Sequence, residues 1–191
     1  MAEHALPPAP GAERYVALDF ANSALALPNG QFVDHLGTPT ATAAWLREHG
    51  LAPPGVEVSE MCAAQLRSLR EHLRSLCAAR VDGVPALPTA LSAVNDALSR
   101  AATAELLHWD DTTGPYRAIP CPTNEILAHA LATLAANGAD LLTGPDAERL
   151  ARCGSAPCNR FLLRHGRRHW CCTRCGDRAR AARAYSRRTP S

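Results

Sequence analysis

Lysine is absent from this chain of 191 residues, and all twenty of its basic residues are arginine. Alanine and leucine are abundant as well, so we attribute the choice of arginine over lysine to genomic base composition rather than to phosphate recognition. The sequence has no phosphate loop of the G-x4-G-K-[ST] type, no Ser/His/Asp nucleophile motif and no His-x-Glu pair of a zinc deaminase. We therefore expect that the protein is not an enzyme.

Long apolar runs are missing too. No run of eighteen apolar residues occurs, so we expect no transmembrane helix and no membrane partner. The N-terminal residues lack the basic and apolar regions of a secretory signal, and their proline and alanine content predicts a disordered tail over residues 1–13. We expect a cytoplasmic protein, in which thiols stay reduced and closely spaced cysteines bind metal rather than form disulfides.

Negative charge is nearly absent from the C-terminal part of the chain. Residues 152–191 hold eleven arginines and one acid, Asp177, for a net charge near +10. Residues 1–151 hold nine arginines and seventeen acids, for a net charge near −8. A division this sharp predicts two parts with different partners. We place an acidic helical domain at residues 14–146 and a basic cysteine-rich module at residues 147–191.

The acidic part has the periodicity of helices. Its clearest element is an amphipathic helix that follows Ser59 and ends near Gly83, with apolar residues at three- and four-residue steps. Thr38 and Pro39 are typical of another helix start, and residues 104–121 predict a β-hairpin. On this hairpin, Trp109 either lines a cleft with His108 and Asp110 or, as is more common for tryptophan, belongs to the core. Residues 15–27 are a buried helix or a strand that leads into one. The fold class is thus mainly α with small β-hairpins, an α+β fold.

Five of the eight cysteines lie within residues 153–175. Two close pairs with a hairpin-sized insert between them are typical of a tetrahedral thiolate site for one structural Zn²⁺. Spacing alone favours the Cys-x2-Cys pair that uses Cys172, with Cys171 as the alternative. The candidate ligands are Cys153, Cys158, Cys175 and one of Cys171 and Cys172.

The local sequence predicts how the module folds. Residues 153–158 are expected to form a tight knuckle, residues 161–163 and 169–171 to pair as strands, and the alanine- and arginine-rich residues after Cys175 to form a helix. A knuckle, a hairpin and a helix whose first turn brings the last ligands make a treble-clef-like zinc finger. The N-terminal end of that helix would favour thiolate through its partial positive charge.

The C-terminal segment resembles the CGNR zinc finger of bacterial regulators, with Asp177 where the motif has Asn. Its sequence is RLARCGSAPCNRFLLRHGRRHWCCTRCGDRARAARAYSRR. An upstream segment is similar to the start of the ABATE domain that accompanies this finger; it reads VALDFANSALALPNGQFVDHLGTPTATAAWLREHGL. The resemblance implies a stress-induced transcription regulator. It also implies that Cys171, which follows Trp170, is the fourth zinc ligand.

The arginines of the module predict a surface for nucleic acid. Positive charge on a helix and on a neighbouring hairpin is the electrostatic footprint of phosphate binding, and we expect DNA. The alternative is a protein–protein adaptor whose basic module docks an acidic partner. The predicted nucleic-acid-binding residues are Arg164, Arg167, Arg168, Arg174, Arg178, Arg180, Arg183, Arg187 and Arg188.

Two polar residues interrupt the first apolar segment of the acidic part. Asp19 and Asn22 either line a ligand pocket or act as a cap or a buried brace. We expect this domain to sense a small-molecule or protein effector and to alter how the basic module is presented. A homodimer is a further expectation, because phosphate contacts alone carry little sequence specificity.

Overall fold

The computed structural model describes residues 6–100, 106–118, 125–166 and 168–188. It confirms the mainly α, α+β fold class. Six α-helices contain about half of the described residues. They are α1 (Val16–Ala21), α2 (Pro39–Glu48), α3 (Glu60–Asp82), α4 (Pro88–Ser99), α5 (Ile126–Thr143) and α6 (Thr173–Arg188).

Three antiparallel strand pairs complete the described fold, and each pair stands alone as a two-stranded sheet. Residues 15–27, for which the sequence left a helix and a strand open, contain a helix followed by a strand. The strands are β1 (Ala24–Ala26), β2 (Phe32–Asp34), β3 (Leu106–Asp110), β4 (Gly114–Ala118), β5 (Leu150–Arg152) and β6 (Phe161–Leu163).

Two of the predicted helix starts are confirmed by their caps. The Thr38 hydroxyl accepts a hydrogen bond from the backbone N–H of Ala41 at 3.2 Å. In the same way, the Ser59 hydroxyl accepts from the N–H of Cys62 at 3.2 Å. Each cap satisfies a donor that the first helical turn cannot use.

The main core of the helical part forms where α3 packs against α4 and α5. Leu66, Leu69 and Leu73 of α3 are all less than 5% exposed. Helices α3 and α5 approach closely at Gly138 of α5, where a Cβ would stand 2.5 Å from Leu73 Cδ2 of α3. By length and hydropathy alone α5 could span a membrane, but its packing against α1, α3 and α4 is that of a central core helix.

A second apolar cluster joins the helical part to the cysteine module. It contains Leu18 of α1, Cys77 of α3 and Leu141 of α5, together with Leu150 and Phe161 from the β5–β6 pair. All five side chains are less than 5% exposed. The domain limits 14–146 and 147–191 remain a prediction, and the two parts share this core across that limit.

The β3–β4 hairpin projects from the rest of the described fold. Trp109 is 73% exposed and Leu107 is 72% exposed. The sequence favoured Trp109 as a core residue, and this was wrong. In the strand register, Trp109 faces Pro115 across the pair, and no third strand or helix covers that face within the part of the chain described.

The strand pairing of the module also differs from the prediction. β6 pairs with β5, in the register Leu150↔Leu163 and Arg152↔Phe161, and not with residues 169–171. The reason is apolar burial, since Leu150, Phe161 and Leu163 all enter the second cluster. Residues 169–171 instead contact the knuckle, where the N–H of Gly154 donates to the carbonyl of His169 at 2.9 Å.

Candidate metal centre and basic face

Four thiols meet at one point in the module. The Sγ atoms of Cys153, Cys158, Cys171 and Cys175 all lie within 4.8 Å of one another. The Sγ atom of Cys171 is 3.7 Å from that of Cys158 and 3.5 Å from that of Cys175. Metal–sulfur bonds of about 2.3 Å in a tetrahedron put neighbouring sulfurs about 3.8 Å apart. The four cysteines therefore fit a metal ion.

Three separate elements bring these sulfurs together. Cys153 follows β5 directly, and Cys158 ends the knuckle that connects β5 to β6. Cys171 lies in the loop before α6, and Cys175 lies in the first turn of α6. The backbone N–H of Cys171 points at Cys153 Sγ at 3.4 Å, as expected where a sulfur carries negative charge.

Two guanidinium groups contact the sulfurs. Arg178 Nη2 lies 3.3 Å from Cys175 Sγ, and Arg160 Nη1 lies 3.8 Å from Cys171 Sγ. A metal held by four thiolates leaves a net charge near −2 on the centre. These two arginines supply positive charge beside it.

The electrostatics of the thiols favour a bound cation. Burial raises the pKa of Cys175 to about 12, and hydrogen bonds to Cys153 and Cys158 raise the pKa of Cys171. Conversely, hydrogen bonds from the thiols of Cys158 and Cys171 lower the pKa of Cys153. Complete deprotonation of neighbouring thiols is unfavourable because the thiolates repel one another. A metal cation binds the thiolate form and offsets this repulsion.

Cys172 stands beside this group but not within it. Its Sγ atom is 3.9 Å from Cys171 Sγ, and the set of four mutually close sulfurs uses Cys171 instead. This arrangement favours the ligand choice that the resemblance implied over the one that spacing alone preferred. Cys172 is 4% exposed and packs beside the four clustered cysteines as an apolar neighbour.

The N-terminal segment covers the thiols. Ala9 is 1% exposed and belongs to the same apolar cluster as the cysteines, with Leu6 packed against it. The carbonyl of Pro10 accepts a hydrogen bond from the N–H of Leu163 at 2.8 Å. Gly11 permits this approach, because a Cβ there would meet Leu163 Cγ at 2.6 Å. The sequence predicts a disordered tail over residues 1–13, of which residues 1–5 lie outside the described residues; the structure places Leu6, Ala9 and Pro10 against the module.

One face of α6 carries the exposed arginines nearest to Trp170. The guanidinium carbons of Arg180 and Arg183 lie 5.8 Å and 5.5 Å from the centre of the Trp170 ring. Arg187 follows Arg183 by four residues and so continues that face. Arg180 also pairs with Asp177, the one acid of residues 152–191. We call Arg180, Arg183, Arg187 and Trp170 the basic face.

The other predicted nucleic-acid-binding arginines are distributed differently. Arg174 and Arg178 line a cleft on the opposite side of α6, next to residues 26–31. Arg178 is committed to the knuckle, since its Nε donates to the carbonyl of Ala156 at 2.9 Å. Arg164, Arg168 and Arg188 are exposed, and Arg167 lies outside the described residues.

Asn22 acts as a brace between the two parts. Its Nδ2 donates to the carbonyl of Phe161 at 2.9 Å, and its Oδ1 accepts from the N–H of Phe161 at 2.8 Å. Asn159 provides a matching brace in the other direction, bonding both the N–H of Ala26 and the carbonyl of Ala24. Both functions of the Asn22 amide are therefore used inside the protein.

Asp19 faces a cavity and is paired with His49. The His49 Nε2 lies 3.0 Å from Asp19 Oδ2, and the His49 Nδ1 lies 2.8 Å from the carbonyl of Trp45. Both ring nitrogens face acceptors, so the doubly protonated imidazolium suits this geometry. Burial lowers the pKa of His49, but the hydrogen bonds to Asp19 and Trp45, with the nearby charges of Asp19 and Glu48, outweigh burial and raise it.

Sequence reasoning missed Arg160 and Asn159. Arg160 is only 3% exposed although it is charged, and Asn159 holds β1. Both follow Cys158 directly, and a polar pair between a cysteine and an apolar strand is a signal that could have indicated buried roles.

Comparison with known proteins gives one family. The ABATE family model, whose description reads "Putative stress-induced transcription regulator", matches residues 15–145, more than half of the chain. None of the curated proteins matches the chain. The four-cysteine cluster lies C-terminal to the matched region and is consistent with a zinc-binding module of the CGNR kind.

Proposed function

Because this chain belongs to the ABATE family of transcription regulators, we propose that it is a cytoplasmic regulator that binds DNA through a zinc-held basic module. In this proposal residues 147–191 contact DNA, and residues 14–146 sense an effector. A second copy of the chain would supply the sequence specificity that phosphate contacts lack. The basic face beside the metal centre is the observation that carries the proposal.

Zinc is the metal that the donor set favours. Four thiolates are a common ligand set for structural zinc, and they leave no position open for a catalytic water. Cys153, Cys158, Cys171 and Cys175 would hold one Zn²⁺ that ties β5, the knuckle and α6 together. The resulting module presents α6 at a fixed angle, with no catalytic role for the metal.

The basic face has the chemistry of phosphate contact. Arg180, Arg183 and Arg187 share one side of α6 and are all exposed. The Trp170 ring holds the first two guanidinium groups near its face, which limits their motion and lowers the entropy that binding would cost. Because α6 has no Asn or Gln to pair with adenine, base readout would depend on arginine and guanine.

A salt-titrated fluorescence anisotropy assay with short duplex DNA tests the proposal. We expect affinity to fall steeply between about 50 and 200 mM salt, because phosphate binding releases counterions. The double variant Arg180→Ala/Arg183→Ala should weaken binding and reduce the salt slope by about one unit for each phosphate that is no longer neutralised. Arg100→Ala, which removes an exposed arginine of the helical part, is the matched control and should leave both quantities unchanged.

A protein adaptor is the second candidate. Two arginines near the start of the module already engage carboxylates: Arg152 pairs with Asp82 at 2.6 Å, and Arg149 pairs with Asp146 at 2.7 Å. An acidic protein partner could meet the basic face in the same way. No DNA binding by the zinc-loaded protein at low salt would reject the DNA proposal and favour this one.

A further inference from the structure

A cavity of about 300 Å³ lies where the helical part meets the cysteine module, and we call it the seam cavity. Its size is at the lower end of the range for small-molecule sites, which often occur where two parts of a fold meet. The helical part contributes α1, β1 and α2, and the module contributes the residue before β6. The lining residues that decide its chemistry are Leu6, Asp19, Leu25, Trp45, His49 and Arg160.

Arg160 is the charged group of the cavity that lacks a full set of partners. Its residue is 3% exposed, and its Nε has no hydrogen-bond partner. Its Nη1 reaches only the sulfur of Cys171, at 3.8 Å, and among the described residues no carboxylate forms an ion pair with it. A buried guanidinium normally has an oxygen acceptor, because leaving one unpaired is costly.

The other charged groups of the cavity do not supply that acceptor. Asp19 is already paired with the imidazole of His49. Glu48 and His35 lie on the solvent-exposed rim. An oxygen anion is therefore the complement that the interior of the cavity lacks.

The remaining walls are apolar. Leu25 is 4% exposed and Trp45 is 6% exposed, and Leu6 of the N-terminal segment closes one side. Apolar walls with a few convergent polar groups are the usual form of a small-molecule site.

We propose that the seam cavity binds a small carboxylic acid with an apolar body, whose carboxylate pairs with Arg160. This inference rests on the proposed function, because it names the site and the chemical class of the effector that residues 14–146 would sense. The apolar body of the acid contacts Leu25 and Trp45.

The position of Arg160 connects the cavity to the metal centre. The same guanidinium that would pair with the acid lies beside Cys171, one of the four metal-binding cysteines. Drawing Arg160 toward a bound carboxylate would remove positive charge from that sulfur. The effector would thus alter the centre that fixes α6 and its basic face.

Isothermal titration calorimetry of the zinc-loaded full-length protein tests the inference with benzoate as the probe and benzamide as its neutral isostere. We expect benzoate to bind roughly tenfold or more tightly than benzamide, because only the anion pairs with Arg160. This comparison uses the wild-type protein and does not depend on the folding of any variant. Equal binding of the two compounds, or no binding of benzoate, would overturn the proposal.

Two variants sharpen the test. Arg160→Gln should remove the preference for benzoate, whereas Arg100→Gln, at an exposed arginine of the helical part, should keep it. If Arg160→Gln misfolds, Leu25→Phe reduces the cavity from the helical side and should weaken benzoate binding by about tenfold. Unchanged benzoate binding in Leu25→Phe would contradict the assigned site.

Zinc content and DNA binding are measured on the same samples, so that the two proposals fail separately. If Arg160→Gln loses zinc while the wild-type protein does not bind benzoate, Arg160 serves only the thiolates and the effector proposal is rejected. DNA binding by the wild-type protein would still support the proposed function in that case.

Discussion

The helical part and the cysteine module bury their interiors by different means. In the helical part, α3, α4 and α5 pack leucines such as Leu66 and Leu73 into one apolar core. In the module, the buried groups around Ala9 and Leu162 are mostly sulfurs. The first core needs only the hydrophobic effect, whereas the second gathers thiol groups that can all lose their protons together only around a cation.

The contact between the two parts, which we call the seam, also contains directional polar interactions. Asn22 and Asn159 exchange backbone hydrogen bonds across it, in opposite directions. Arg74 of α3 adds a hydrogen bond to the carbonyl of Asn159 at 3.0 Å. Directional polar contacts fix the orientation of one part against the other more strictly than apolar contact alone. We therefore expect that single substitutions can disrupt the metal centre, the seam and the helical core separately.

The largest effect is expected from removing one metal-binding thiol. Cys171→Ser should reduce bound zinc from about one equivalent toward zero and unfold the module, because binding free energies of such sites are about 10–16 kcal/mol. The helices of residues 14–146 should persist, since their apolar core is independent of the metal. Elemental analysis and circular dichroism measure the two results.

The matched control for that variant is Cys172→Ser, one residue away. It should retain about one zinc, because Cys172 lies outside the set of four mutually close sulfurs. The opposite pattern, with zinc lost from Cys172→Ser and kept by Cys171→Ser, would contradict the ligand set.

An intermediate effect is expected at the seam. Asn22→Ala removes two buried hydrogen bonds to Phe161 and should lower the free energy of unfolding by about 2–4 kcal/mol. Zinc content should stay near one equivalent, because no metal-binding cysteine is touched. Urea denaturation measures the change.

Asn95→Ala, at an exposed position of α4, is the control for the seam and should change stability by less than about 0.5 kcal/mol. A similar small change in Asn22→Ala would mean that the asparagine brace does not hold the two parts together.

The smallest effect is expected from the Asp19–His49 pair. The pKa of His49 is raised in the folded protein, so its contribution to stability is complete below the unfolded pKa of about 6.5 and is lost as pH rises through the folded value. The stability difference between wild type and His49→Gln should therefore shrink between about pH 6 and pH 9. Because solvent reaches the pair, we expect a change below about 1 kcal/mol.

Urea denaturation at the two pH values measures this difference, and His72→Gln on α3 is the control for histidine removal in general. A stability difference that grows with pH would reverse the expected sign and show that His49 is neutral in the folded protein.

Much of the helical fold could be predicted because its information is local. The cap at Ser59 and the three- and four-residue spacing of leucines are enough to place α3. The same holds for Thr38 and Pro39 at the start of α2. The close spacing of the cysteines in residues 153–175 likewise predicted that four of their sulfurs would meet at one point.

The predictions that failed depended on distant partners. Nothing near Phe161 in the sequence shows that Leu150, rather than the loop before α6, supplies its neighbouring strand. Trp109 is apolar and lies in a typical strand, but it has no described layer to pack on. The nucleic-acid role of Arg178 remains a prediction; what its neighbours in the sequence do not show is that its Nε donates to the carbonyl of Ala156 in the knuckle.

The three tryptophans divide among the regions just compared. Trp45 is buried in the helical part, Trp109 is exposed on the projecting hairpin, and Trp170 lies beside the arginines of α6. Replacing any two of them with phenylalanine would leave a single tryptophan at a known place. The wavelength and quenching of its emission would then follow one region at a time, without an added dye.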